Sequence, residues 1–78
     1  MSGYSATVRF TDPEREDLFH TADTPDKARI EALQKAKLTG AEPEVVFWDT
    51  DGEQLAMTWP DEVRTTRAEY ERQAETSP

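Results

Sequence analysis

The stretch that most constrains this chain is EVVFWDTDGEQLAMTW, residues 44–59. Asp51-Gly52 lies between two apolar runs, and both residues tolerate the positive φ of a tight strand reversal, so the stretch predicts a β-hairpin. In the outgoing half, Leu55, Met57 and Trp59 alternate with Gln54, Ala56 and Thr58. Successive strand side chains point to opposite faces, which gives this strand one buried and one wetter side. The incoming half differs. Val45 and Phe47 point one way and Val46 and Trp48 the other, so it is apolar on both faces. Such a strand sits inside a sheet covered on both sides, or offers one face for docking.

Residues 4–10 show the same period more simply. Tyr4, Ala6, Val8 and Phe10 share a face, while Ser5, Thr7 and Arg9 share the other. That is the pattern of a half-buried antiparallel strand. Asp12-Pro13 then breaks it, because proline cannot donate to a ladder and Asp before Pro favours a turn. DLFHTA, residues 17–22, predicts a shorter second strand of ambiguous facing, with Leu18, His20 and Ala22 against Phe19 and Thr21.

A helix is expected next. Thr24 can cap it, Pro25 suits the first turn, Asp26 suits the positive end of the dipole, and Gly40 supplies the stop. Ala28, Ala32 and Ala36 make a ridge of small residues flanked by Leu33 and Ile30, which lets the helix lie close on a sheet. Arg29 is expected at the edge of that stripe, stem packed and head in water. Lys27, Glu31, Gln34 and Lys35 read as a solvated side. After Trp59, Pro60-Asp61-Glu62 can open a helix directly. Alternatively, residues 63–64 stay extended and Thr66 to Glu69 form a capping box. Val63, Tyr70 and Ala74 give this segment only a thin apolar stripe, marginal for an isolated helix. The last four or five residues are expected to be disordered.

The fold class that follows is α+β: a two-layer, four-stranded, mainly antiparallel sheet in ββαββ order, with one main helix and a short C-terminal helix. Residues 1–78 make a single domain, with its core over about 4–64 and a peripheral helix and frayed tail over 65–78. At 78 residues it is near the lower limit for a self-sufficient core. Strand order stays open.

Composition removes whole classes of function. There is no cysteine, so no disulfide or thiolate metal site, and one histidine rules out a multi-histidine site within one chain. Mean hydropathy is −0.90 and no run approaches membrane-spanning length. The N-terminus lacks the basic-then-apolar layout of a secretory signal, which predicts a cytoplasmic protein or one whose leader has been removed. Net charge is −8, from 17 acidic and 9 basic side chains. That opposes direct nucleic-acid binding, which depends on neutralising phosphates. The excess can keep a small protein soluble, match a basic partner surface, or suit a high-salt cytoplasm.

Catalytic and cofactor motifs are not apparent. There is no nucleophile elbow, and His20 reads as a surface or edge side chain. Asp49-Thr50-Asp51-Gly52 contains part of a calcium loop. Aligned on Gly52, however, such a loop would begin at Phe47 and end at Thr58, where acids are needed. The glycines form no phosphate cradle. No cofactor or metal is expected.

The plan resembles that of small acidic proteins carried by phages and mobile elements, the anti-CRISPR proteins in particular. The segments that carry the likeness are YSATVRF, TPDKARIEALQKAKLTG, and PEVVFWDTDGEQLAMTW running into PDEVR. It covers about residues 4–64 and is a likeness of plan, so it transfers no residue role. It implies stoichiometric occlusion of a host nuclease or nucleic-acid-binding machine in the host-cell cytoplasm, sometimes with carboxylates mimicking phosphates.

The expected function is therefore a non-enzymatic acidic interaction module for a protein with a basic surface. Candidate contact residues are Asp12, Glu14, Glu16 and Asp17 on the first turn and Glu44, Asp49, Asp51 and Glu53 around the hairpin. If the helix covers the face of Tyr4, Val8, Phe10, Leu55, Met57 and Trp59, then Val46 and Trp48 lie on the other face. There either the C-terminal stripe of Val63 and Tyr70 folds back over them, or a partner covers them with Trp48 as an apolar anchor. The alternative is a structural small subunit, monomer or homodimer, and a small enzyme comes third.

Overall fold

The hairpin forms where Asp51-Gly52 demands it. In the computed structural model, which describes residues 3–76, Asp51 and Gly52 have φ of 48° and 78°. They join β3 (Pro43–Thr50) to β4 (Glu53–Thr58), with Thr50 opposite Glu53. Ahead of them come β1 (Tyr4–Phe10), β2 (Leu18–Ala22) and α1 (Pro25–Leu38); β5 (Arg64–Thr66) and α2 (Arg67–Thr76) follow. The result is an α+β fold with a five-stranded sheet in the order β2-β1-β3-β4-β5, every neighbouring pair antiparallel.

α1 starts and stops on local chemistry. Thr24 is extended, and its Oγ1 accepts from the Lys27 N–H at 3.2 Å. Gly40, at φ 81°, takes the left-handed turn that ends the chain's helical run. The helix lies across β1, β2 and β3, and Ala28, Ala32 and Ala36 are fully buried against them. Ile30, expected beside this ridge, points out and is exposed, because it falls on the far side of the helix from the alanines.

The main core between α1 and the sheet gathers Ala6, Val8, Phe10, Val46, Trp48 and Met57. This corrects the expected facing of β3. Val46 and Trp48 lie beneath α1, at 0% and 1% exposure, and are unavailable to a partner. The two-residue turn is the cause. It sets Trp48 opposite Leu55 and Val46 opposite Met57, and directly opposed residues share a face. The opposite face of β3 therefore carries Val45 and Phe47, which with Ala56 form a second, smaller cluster.

A fifth strand extends the four expected. β5 pairs with β4 through Leu55–Thr66 and Met57–Arg64. Its Arg-Thr-Thr has no apolar alternation, so the sequence pattern cannot reveal it; backbone groups at the margin of β4 supply the reason it forms. Thr66 then caps α2, its Oγ1 accepting from the Glu69 N–H at 3.2 Å. Of the thin stripe expected there, only Tyr70 packs, edge-on to Phe47 at 5.8 Å between centroids and 71° between planes. Val63 and Ala74 are exposed. The disorder expected at the C-terminus falls partly on residues 77–78, outside the described residues; up to Thr76 the chain is helical. Among the described residues no helix is long and apolar enough to cross a membrane.

Candidate functional site

The β1–β2 loop is a compact polar turn. Asp12 Oδ1 accepts from the Glu14 N–H at 3.0 Å, and the Asp12 carbonyl accepts from the Arg15 N–H at 3.1 Å. Proline at position 13 presets the bend between them. Every residue from Thr11 to Asp17 is exposed. Arg15 folds back over the Phe10 ring, 5.6 Å from its centroid, so Asp12, Glu14, Glu16 and Asp17 remain as the loop's outward charge. The carboxylates rim an open depression of about 640 Å³ floored by Phe10, Leu18 and Thr39.

Glu44 belongs with this group. The β1–β3 register slips between Arg9 and Phe10, which pair with Val45 and Pro43 and leave Glu44 as the extra residue of a bulge. A bulge re-aims its side chain. Glu44 lines a second depression, about 420 Å³, together with Arg9, Asp12, Arg15 and Asp17. Its charge also reaches α2: burial raises the Tyr70 phenol above its ordinary value and Glu44 raises it further, while Arg9 pulls the other way.

The remaining candidates do not join them. Asp49, Asp51 and Glu53 sit around the hairpin turn at the opposite end of β3, five or more strand residues and so roughly 17 Å or more from Glu44 at about 3.3 Å per residue. Asp49 Oδ2 accepts a 3.4 Å hydrogen bond from Ser5 Oγ, and Asp51 and Glu53 are exposed at the turn. The sequence-derived set thus divides into an acidic end (Asp12, Glu14, Glu16, Asp17, Glu44), a turn cluster (Asp49, Asp51, Glu53) and a buried pair (Val46, Trp48).

Most of the cations for which a contact is resolved lie over aromatic rings. Arg9 and Arg67 stand over the Phe47 ring at 5.1 and 4.5 Å. Arg29 and Arg64 approach the Trp48 ring at 5.3 and 5.9 Å, and Lys37 lies 4.7 Å from the Trp59 centroid. Ring faces attract cations through their quadrupole, and the long stems cover apolar surface at the same time. Arg29 is drawn in so far that its Nε is buried without an acceptor. Its side chain is only 17% exposed, not headed into water as its sequence position suggested. Ion pairs among the described residues include Arg67–Glu71 at 2.9 Å, Arg29–Asp26 at 3.9 Å, and His20–Glu31. None involves a carboxylate of the acidic end or the turn cluster. Sequence counting registers the net charge but not this allocation of cations to rings.

His20 faces α1. Its Nε2 donates to Glu31 Oε1 at 2.7 Å, and this bond, the largest influence, holds the Glu31 carboxyl below its ordinary value. Partial desolvation opposes it, while the charges of His20, Lys27 and Lys35 assist. One imidazole on one carboxylate joins strand to helix. Among the described residues no three potential ligands converge on a metal position.

Comparison with known proteins finds no matching family model, no curated relative and no solved structure with a significant match.

Proposed function

We propose that this chain is a non-enzymatic acidic interaction module, acting in the cytoplasm, that binds a protein with a basic surface through the end of the sheet formed by Asp12, Glu14, Glu16, Asp17 and Glu44. One observation carries the reading: none of the ion pairs found among the described residues involves these carboxylates, while six cations lie over aromatic rings. A patch in which carboxylates outnumber cations accelerates encounter with a surface of opposite sign and enforces register on it. The likeness of plan to anti-CRISPR proteins supports a more specific version. In it, the module is an inhibitor that occludes the nucleic-acid-binding surface of a host complex, its carboxylates taking the place of phosphates. Trp48, being buried, has no part in this contact.

The test is a capture from host lysate followed by measurement of affinity for the purified partner in a salt series. Charge reversal at Asp12, Glu14, Glu16 and Asp17 is expected to abolish the salt-sensitive component of binding. Reversal at Asp51 and Glu53 leaves most of it. Equal losses from the two sets, or affinity independent of salt, would sink the assignment. For the inhibitory version, the partner's binding to nucleic acid must fall in proportion to the module added.

A further inference from the structure

The sheet ends in two unlike edges. β5 is three residues long, runs directly into α2, and has Arg64 and Arg67 around it. Short, charged edges discourage the addition of another strand. β2 is longer and carries no fixed charge within the strand. It is five residues, Leu-Phe-His-Thr-Ala, with no proline, lysine or arginine. It pairs in unbroken register with β1 from Leu18–Val8 to Ala22–Tyr4. Its outer side has no neighbouring strand, so the backbone donors and acceptors on that side have no ladder partner.

Phe19 marks the same edge. It stands on the face away from α1, paired with Thr7, and is 67% exposed. α2 packs on β4 and β5 at the other side of that face and leaves Phe19 uncovered. Charge brackets the strand: Asp17 directly precedes it, with Asp12, Glu14 and Glu16 beyond, and Asp23 directly follows, with Asp26 beyond.

This bracket discriminates between occupants. A second copy paired antiparallel about His20 would set Asp17 of each chain opposite Asp23 of the other and join two chains of net charge −8. Like charges directly opposed destabilise strand pairs. A basic segment meets attraction at the same positions. We infer that β2 accepts, as a sixth strand, an extended segment of a basic protein in which lysines or arginines flank a short alternating apolar and polar run. Five residues span roughly 17 Å, so the flanking charges fall near Asp17 and Asp23. Main-chain hydrogen bonds supply affinity, Phe19 shelters one apolar side chain, and the carboxylates select the charge. The inference rests on the proposed role of the acidic end and adds where the partner's backbone lies.

The probe is a synthetic peptide of alternating threonine and valine between paired lysines, titrated into the full chain at low salt. Its control is N-methylated at two consecutive central residues, which removes a donor from each of its edges without changing its charge. The unmodified peptide is expected to slow amide exchange in β2 and to bind about tenfold more tightly than the control. Replacing Asp17 and Asp23 by lysine removes binding of both peptides. If both bind equally and perturb only residues 11–17, β-addition is refuted while the acidic end remains a contact surface. If neither binds, both readings fall. If β2 amides become protected with rising protein concentration and no peptide, a second copy owns the edge and the inference is overturned.

Discussion

The two faces of the sheet are made from alternate residues of the same strands, yet they are closed by different means. On one, Val8, Val46, Trp48 and Met57 lie under a fourteen-residue helix whose alanine ridge lets it approach closely. On the other, Val45, Phe47 and Ala56 are covered by the Tyr70 ring and by Arg9 and Arg67. The first face is closed by backbone and small side chains; the second by a ring and cations. The comparison teaches how fold and charge are linked. Arg29 and Arg67, which lie over Trp48 and Phe47, also pair with Asp26 and Glu71 on their own helices, so the cations that help to close the two faces are engaged away from the acidic end.

The largest expected effect lies on the helix-covered face. Trp48→Ala should cost about 3–5 kcal/mol, read from urea denaturation, whereas Tyr70→Ala should cost about 1–2 kcal/mol because its edge-on contact is only partly buried. Equal losses would mean that the two faces are closed equally well. The caps sharpen the contrast. Thr24→Ala removes the acceptor for the Lys27 N–H and should lower global stability by about 1 kcal/mol. Thr66→Ala should instead speed amide exchange in α2 alone, since few contacts tie that helix to the rest. A shift of the global transition by Thr66→Ala would break the distinction.

A pH series probes the strand-to-helix contact on the α1 face. Because the Glu31 carboxyl is held below its ordinary value of 4.5, the unfolded chain takes up this proton first as pH falls. The contribution is therefore complete above about pH 4.5 and is lost as pH drops through the folded value. Melting temperatures of the parent and Glu31→Gln should differ at neutral pH and converge in acid; a constant difference would deny the effect to ionisation. The smallest effect belongs to the uncovered part of the opposite face. Phe19→Thr should change stability by no more than about 0.5 kcal/mol, measured by the same denaturation.

Much of this was legible locally. Thr24-Pro25-Asp26 and Gly40 marked the ends of α1, and alternation from Tyr4 to Phe10 marked β1. Asp51-Gly52 marked the reversal. The facing of Val46 and Trp48 follows from the turn, since a two-residue reversal sets odd β4 positions against even β3 positions, whereas alternation within β3 taken alone does not say which face the helix covers. Other features had no local signal. Arg-Thr-Thr becomes a strand only because β4 leaves an edge for it. Glu44 joins the β1–β2 loop only through a bulge.

What the amino-acid sequence determined by itself is the set of elements and the sign of the charge, because caps, positive-φ turns and side-chain alternation act over a few residues. Tertiary structure alone decided which carboxylates meet and which rings the cations cover. Those outcomes depend on strand register and on which ring each arginine can reach, and both are fixed by residues far apart in the chain.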